Sequence, residues 1–197
     1  MIAGKNATVV CDAAKKVCSA TYTVVSGDTE GPASLSVQCS DGAGNVQMTE
    51  ATTDDTTVII DITPPEVTSL AMSPADTWLA EGDTVTVTFE ASEPLDVDTI
   101  NVTVAGRPAD KIVCDEIAME CQAVYTVSKD PAPNEGPVGV TIQFSDPAGN
   151  PSEPADETTT SPADGRKPLL SDKAPYVDIT PPTITNVTLV ATSTPAE

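Results

Sequence analysis

The sequence predicts an all-β fold made of tandem β-sandwiches, and three observations support this prediction. Apolar and polar residues alternate with a period of two, as they do in half-buried strands. Turn-forming residues separate the alternating runs at the spacing that is typical of sandwiches. A long segment of the sequence also occurs twice, which indicates an array of similar domains. No comparable helical periodicity is present.

The clearest predicted strand is TVTVTFEA, residues 84–91. Its Val, Val, Phe and Ala side chains share one face, and its three Thr side chains and the Glu share the other. The segments TINVTV (99–104) and VGVTIQF (138–144) repeat the pattern, so we expect two more half-buried strands there. The motifs EGD, SEPL, DPAPNEG and DPAGN bound these runs and predict turns.

Three motifs recur in the same order along the chain. The pentapeptide DITPP occurs at residues 61–65 and 178–182, and VVCDAAKKVCSATYTV has the counterpart IVCDEIAMECQAVYTV, with the same C-x6-C spacing. LSVQCSDGAGN likewise matches VTIQFSDPAGN. The phase of the repeat predicts that residues 1–61 are the C-terminal half of a domain, 62–178 a complete domain and 179–197 the start of a third. We name these segments copy 1, copy 2 and copy 3.

Because copies 1 and 3 each match only part of a unit, we expect the sequence to be a window of a longer tandem array. The alternative is that incomplete ends complement each other between molecules and build a filament by strand exchange. The paired prolines of DITPP remove two amide donors and favour extended backbone, so the motif is predicted to be a stiff linker. Copy 2 also contains an insertion, from Pro151 to Tyr176, which is predicted to be a surface loop.

The composition excludes several functions. Thirty acidic against nine basic residues give a net charge of −21, which would repel nucleic acid and anionic membranes. Solubility of a long exposed rod, cation binding, and life in salty water that screens the repulsion all remain explanations of that charge. Histidine is absent, so the usual general base and the commonest metal ligand are missing, and we predict that the chain is not an enzyme. No apolar run approaches the roughly 20 residues of a membrane span, so no membrane contact is predicted here.

The order DITPP, EGDTVTVTFEASEPL, FSDPAGN resembles the repeat unit of the large immunoglobulin-like domain families of bacterial surface adhesins and of extracellular proteins from algae and other microbial eukaryotes. The resemblance implies tandem immunoglobulin-like β-sandwiches and a location outside the cell or at its surface. The antibody-type Cys-Trp-Cys arrangement is missing. The C-x6-C pair is not a general feature of these families.

This resemblance implies a structural module, a rod, stalk or filament component whose partners are the neighbouring repeats and other subunits of a surface assembly. The alternative is an adhesin-type binding module that recognises a glycan or a protein through loops at one end of the sandwich. The insertion is the first place to look, because loops that differ between copies are candidate binding elements. Tyr176 is its only aromatic residue, which disfavours sugar stacking.

Four of the five cysteines form two pairs of identical spacing, Cys11 with Cys18 and Cys114 with Cys121. We expect each pair to form a disulfide across a hairpin, although buried thiols and metal binding are alternatives. Disulfides would place the protein outside the reducing cytosol. Cys39 is predicted to be a small buried apolar residue, since it shares a face with Leu35 and Val37; an interchain bridge is the alternative.

Three sequons, at Asn6, Asn101 and Asn186, are predicted N-glycosylation sites if the host is a eukaryote. Asn101 lies on the polar face of its predicted strand. The clusters TTTSP and TSTP are candidates for O-linked sugars in such a host, and plain polar loops are the alternative.

The resemblance to adhesin repeats also implies calcium at domain junctions. The candidate ligands are Asp61 and Asp178, which precede the linker prolines, and Asp41 and Asp146, which open the DGAGN and DPAGN turns. Hard cations take six to eight oxygen ligands, and no dense calcium motif is present. Turn capping by each Asp side chain explains the same residues. No other cofactor is predicted.

Overall fold

A computed structural model of the chain describes residues 1–14, 16–115, 119–159, 170 and 173–190. Within these residues the fold is all-β and contains no helix, as the sequence predicted. It follows that the described residues include no helix that is long and apolar enough to cross a membrane.

The strands of copy 1 are short: β1 (Thr8–Cys11), β2 (Cys18–Thr21), β3 (Gly31–Pro32), β4 (Val37–Ser40), β5 (Val46–Thr49) and β6 (Ile59–Ile60). Those of copy 2 are β7 (Val67–Ser73), β8 (Trp78–Leu79), β9 (Thr84–Ala91), β10 (Asp96–Val104), β11 (Arg107–Pro108), β12 (Lys111–Asp115), β13 (Glu120–Thr126), β14 (Gly136–Pro137), β15 (Val140–Ser145), β16 (Ala155–Asp156) and β17 (Tyr176–Val177).

Copy 2 contains two four-stranded sheets, with the strand orders β12-β13-β9-β7 and β11-β10-β15-β16. All neighbours in both sheets are antiparallel. The bounds of β9 agree with the alternating run in the sequence, and its four apolar side chains are buried. Alternation therefore placed this central strand and its inward face correctly.

The core of copy 2 takes side chains from both four-stranded sheets. Phe89 of β9 and Phe144 of β15 are stacked with their ring centroids 5.9 Å apart, which links the two sheets. Most other core residues are Val, Ile, Leu or Ala, as expected for a chain with 3 percent aromatic residues. A smaller sheet, β14-β17-β8, brings the end of copy 2 beside its beginning.

The insertion in copy 2 is only partly described, because residues 160–169, 171 and 172 lie outside the described residues. Its start differs from the predicted surface loop. Residues Ala155 and Asp156 form β16 and pair with Thr141 and Ile142 of β15. Ala155 is buried, because a small apolar side chain fits at this edge of the core.

Copy 1 forms three separate two-stranded sheets, β1-β2, β3-β6 and β4-β5. Its strand residues are exposed almost throughout. Among the described residues of copy 1, Ile60 is the only apolar residue that is buried. The prediction that Cys39 is buried is wrong: Cys39 is exposed, since no described strand covers the face it shares with Val37. Its counterpart in copy 2, Phe144, is buried.

Both predicted disulfides are present. The S–S distances are 2.04 Å for Cys11–Cys18 and 2.07 Å for Cys114–Cys121. Each pair joins directly opposite residues of neighbouring strands, β1 with β2 and β12 with β13. The bonds are compatible with an extracellular location, where disulfides persist.

Candidate functional site: the junctions between copies

Glu30 holds the linker that joins copy 1 to copy 2. Its carboxylate accepts a hydrogen bond from the backbone N–H of Ile62 at 3.2 Å and another from the Thr63 hydroxyl at 2.5 Å. The carboxylate of Asp61 accepts a bond from the Thr63 N–H at 3.1 Å, which closes a local Asx turn. We call this set of bonds the linker clasp.

The same clasp recurs at the end of copy 2. Glu135 accepts hydrogen bonds from the Ile179 N–H at 3.0 Å and from the Thr180 hydroxyl at 2.8 Å. Asp178 accepts from the Thr180 N–H at 3.0 Å. Since all three donor and acceptor roles are repeated, the clasp is a property of the repeat and not of one junction.

Sequence reasoning identified the aspartates of the linker but missed both glutamates. The signal was available in the tripeptide EGP, which occurs at residues 30–32 and 135–137. In both places Gly and Pro form a short strand, β3 or β14, which pairs with the strand that leads into the linker. The glutamate therefore lies beside the first linker residues, within reach of their amides.

The DGAGN and DPAGN turns are also built alike. The carboxylate of Asp41 accepts bonds from the Asn45 backbone N–H at 2.9 Å and from its side-chain amide at 2.7 Å. Asp146 accepts the same two bonds from Asn150, at 2.8 and 2.7 Å. The Asn45 side chain is the main cause that lowers the pKa of Asp41. Turn capping thus occupies both aspartates.

The DPAGN turn of copy 2 contacts the first linker. The side-chain amide of Asn150 donates a hydrogen bond to the backbone carbonyl of Asp61 at 3.2 Å. This contact brings Asp61, Glu93 and Asp146 together, with one carboxylate oxygen from each within 4.8 Å of the others. We call these three residues the junction carboxylates. Asp146 is buried, with 1 percent of its surface exposed.

The surroundings of two neighbouring glutamates at this junction shift their pKa values in opposite directions. Burial is the main cause that raises the pKa of Glu93, and the negative charges of Asp61, Asp146 and Glu30 raise it further. The pKa of Glu30 is lowered instead, first by the Thr63 hydroxyl and then by the Ile62 amide. Hydrogen-bond donors therefore stabilise the ionised Glu30, whereas Glu93 has acidic neighbours and resists ionisation.

The four aspartates predicted as calcium ligands do not form one group. Asp61 and Asp146 are brought together, and Glu93 joins them. Asp178 lies in the second clasp, and Asp41 lies in the exposed turn between β4 and β5. Carboxylate oxygens at this spacing are the donor type that calcium prefers, but three residues supply fewer ligands than a complete calcium shell. Calcium binding therefore stays a prediction, now centred on the junction carboxylates.

Two further predicted features can be located. The sequon residues Asn6, Asn101 and Asn186 are all exposed, so a glycan on any of them would reach solvent. The rings of Trp78 and Tyr176 lie together, with centroids 5.2 Å apart, because β8 and β17 pair side by side. Trp78 is 70 percent exposed. The sequence placed Tyr176 alone in the insertion and gave no sign of this partner.

Comparison with known proteins adds no relative: no family model, no curated protein and no solved structure matches this chain.

Proposed function

We propose that the chain is a non-catalytic structural module of a large extracellular repeat protein, which forms a rod, stalk or filament component at the cell surface. In this proposal copies 1, 2 and 3 are successive immunoglobulin-like β-sandwiches, and the output of the module is mechanical. Its partners are the neighbouring repeats and other subunits of the surface assembly. The observation that carries the proposal is the linker clasp, which is repeated at both junctions.

The clasp supports a rigid connection for a physical reason. A linker that is free to rotate would let neighbouring repeats point in any direction. Here the two prolines of each linker restrict the backbone. The carboxylate of Glu30 at the first linker, or of Glu135 at the second, also fixes the two residues that precede these prolines. At the first junction, the bond from Asn150 to the Asp61 carbonyl adds a contact from copy 2 itself. Each restraint removes rotational freedom from the junction.

The disulfides and the charge support the same function. A disulfide across a short hairpin resists local opening of β1-β2 and β12-β13, which suits a module under mechanical load. The net charge of −21 keeps neighbouring rods apart and discourages pairing between exposed strand edges.

The proposal is tested by the width of a distance distribution across the first junction. One spin label is attached to Cys39, which is free and exposed, and a second to an introduced cysteine, Lys111→Cys, on an exposed position of β12. Double electron–electron resonance is measured at low protein concentration. We expect a narrow distribution in the parent protein and a clearly broader one after Glu30→Ala.

Glu50→Ala is the matched control, because it removes the same charge from an exposed glutamate of copy 1 and leaves the clasp bonds in place. The control should keep the narrow distribution. A broad distribution in the parent protein would contradict the proposal of a rigid rod. Equal widths for the parent protein and Glu30→Ala would show that the linker clasp does not contribute to the rigidity of the junction.

A second candidate function, glycan binding, is favoured by one observation, the exposed Trp78–Tyr176 pair. Aromatic faces are the usual stacking surface for sugar rings, and the pair lies beside the described part of the insertion. A glycan array is the test, with Trp78→Ala as the variant. Saturable binding that this variant abolishes would favour a binding module. Absence of binding would favour the structural module.

A further inference from the structure

The strand β12 lies at an edge of its sheet, in the middle of the chain. Among the described residues, β13 is the only strand that pairs with β12, and the order of the sheet is β12-β13-β9-β7. No described strand therefore uses the backbone groups on the other side of β12. Such an edge can pair with a strand of another chain unless charge, proline or twist prevents it.

The position of the disulfide shows which backbone groups of β12 point outward. Cys114 and Cys121 are directly opposite each other, and their Cα atoms are 4.0 Å apart, the short spacing of a non-hydrogen-bonded pair. Such pairs alternate with hydrogen-bonded pairs in an antiparallel ladder. Ile112, like Cys114, therefore directs its N–H and C=O away from β13. The outer edge of β12 thus offers two donors and two acceptors.

The side chains of β12 divide between the two faces of the sheet. Ile112 and Cys114 pack against the core of copy 2. Lys111, Val113 and Asp115 are exposed on the opposite face, where Val113 is 53 percent exposed. A strand that pairs with this edge therefore meets one basic, one apolar and one acidic side chain on the outer face.

The charges on this face are self-complementary. Among the described strands, β12 is the only one that contains both a basic and an acidic residue. Lys111 and Asp115 lie two residues before and two residues after Val113. An antiparallel copy of β12 centred on Val113 therefore places each lysine opposite the aspartate of the other strand. The net charge of −21 discourages other edge contacts, but at this edge unlike charges meet.

The strand next to β12 adds a reason for a cation to approach. Asp115 lies directly opposite Glu120 of β13, and like charges at opposite positions destabilise a sheet. A lysine from a second molecule would lie beside both carboxylates and offset their repulsion. The equivalent strand of copy 1, β1, has Thr8 at the place of Lys111, so its sequence is not self-complementary.

We propose that β12 of one molecule pairs with β12 of a second molecule, antiparallel and centred on Val113, and so joins two rods side by side. Ile112 exchanges main-chain hydrogen bonds with the partner's Cys114, and Lys111 forms an ion pair with the partner's Asp115. The two Val113 side chains meet at the closely spaced, non-hydrogen-bonded position on the twofold axis. This contact is one lateral contact of the proposed surface assembly, but it rests on β12 alone and does not depend on the linker clasp.

The test is the rate of disulfide cross-linking between molecules, measured in a Cys39→Ser background under mild oxidation. Val113→Cys places one thiol on each side of the twofold axis, so we expect covalent dimers to form rapidly. Gln122→Cys is the matched control, because Gln122 is exposed on the same face, opposite Val113 and next to the same native disulfide. The control thiols lie about three strand spacings apart in the proposed pair, roughly 14 Å, so their cross-linking should be at least about tenfold slower.

Charge reversal gives a second, independent measurement. In the Val113→Cys protein, Lys111→Asp places like charges opposite each other twice, so cross-linking should slow by about tenfold or more. Lys111→Asp/Asp115→Lys restores unlike pairs in the reversed sense and should recover the original rate. Lys173→Asp is the control for net charge, because it makes the same change outside β12 and β13, and it should alter the rate by less than about twofold. Circular dichroism checks that each variant folds.

Two outcomes would overturn the inference. One is equal cross-linking of Val113→Cys and Gln122→Cys, since the edge of β12 would then not be the contact. The other is a folded Lys111→Asp/Asp115→Lys protein that cross-links no faster than Lys111→Asp, since charge complementarity would then not direct the pairing.

Discussion

Copies 1 and 2 share a sequence pattern but differ in what covers it. Val24 and Val127 occupy equivalent places in the two copies, yet the first is 45 percent exposed and the second 1 percent. The hairpins are built alike, with the same disulfide spacing and the same A-x-Y-x-V segment. In copy 2 residues of β7, β9 and β10 belong to the core, whereas among the described residues of copy 1 no strand takes their place.

This comparison teaches that local structure and burial are specified separately in this repeat. The hairpin register, the Asx-capped turns and the linker clasp form in both copies, because each depends on residues close in sequence or on paired strands. Core burial needs strands from the other half of the unit. The described strands of copy 1 therefore leave many of their apolar side chains exposed.

The largest expected effect comes from truncating the two equivalent valines. Val127→Ala should destabilise copy 2 by about 2 kcal/mol, because two buried methyl groups leave a cavity. Val24→Ala should cost less than about 0.5 kcal/mol, since Val24 is 45 percent exposed and its truncation leaves no closed cavity. Urea unfolding followed by circular dichroism measures both. Equal losses would show that copy 1 is as well covered as copy 2.

Removal of each disulfide sharpens the comparison. Cys114→Ala/Cys121→Ala should destabilise copy 2 by about 2 kcal/mol, because the bond closes a short loop in the unfolded chain. Cys11→Ala/Cys18→Ala should leave the unfolding of copy 2 unchanged and accelerate amide exchange in β1 and β2. Residue-resolved hydrogen exchange measures the two variants together. If Cys11→Ala/Cys18→Ala also destabilised copy 2, the two hairpins would not be independent of each other.

Alternation in the sequence predicted three strands of copy 2, which correspond to β9, β10 and β15, because it records which side chains face the core. The sequence also predicted both disulfides from spacing alone. It failed at Cys39, where alternation gave the correct face but not the absence of covering strands. Alternation reports which side of a strand is apolar, and burial depends on strands that are distant in sequence.

The site was predicted only in part for a similar reason. The linker and its aspartates could be recognised from the repeated DITPP. Glu30 and Glu135 were marked only by the repeated tripeptide EGP, and strand pairing brings them to the linkers. Glu93 had no such signal, because turn packing brings it to the junction from elsewhere in the chain. The partnership of Trp78 with Tyr176 likewise depends on the parallel pairing of two strands that lie far apart in sequence.

A smaller effect is expected at the junction carboxylates. Glu93→Gln removes a carboxylate that is crowded by Asp61 and Asp146, so in the presence of a chelator it should raise stability. The gain should be about 0.5 kcal/mol, because solvent screens a partly exposed group. Thermal unfolding is the measurement. A loss of stability under these conditions would show that Glu93 makes a favourable contact.

The calcium prediction is tested with the same pair of proteins. If the junction carboxylates bind calcium, added CaCl2 raises the unfolding temperature of the parent protein, and Glu93→Gln loses this gain. Equal responses of the two proteins would assign any calcium effect to general screening of the negative charge.

The smallest expected effect is a pH-dependent change in the stability of the junction. Its direction follows from the shifted pKa values of Glu93 and Glu30. Because the pKa of Glu93 is raised, its protonation on acidification stabilises the native junction. This stabilisation is fully present below the ordinary pKa of 4.5 and is lost as pH rises through the raised value. The lowered pKa of Glu30 means that its ionised form stabilises the junction above pH 4.5, an effect lost as pH falls through the lowered value.

On acidification the spin-label distribution between Cys39 and residue 111 should therefore narrow first and broaden afterwards. Glu30→Ala should remove the second phase, and Glu93→Gln the first. A single phase that neither variant changes would show that other groups control the junction.

Hydrogen exchange of the equivalent strands β4 and β15 tests the central comparison most directly. For dilute, monomeric protein we predict strong protection of the amides of residues 140–145 and weak protection of those of residues 37–40. Equal and strong protection of the two strands in the monomer would contradict the account, because copy 1 would then have a covered core of its own.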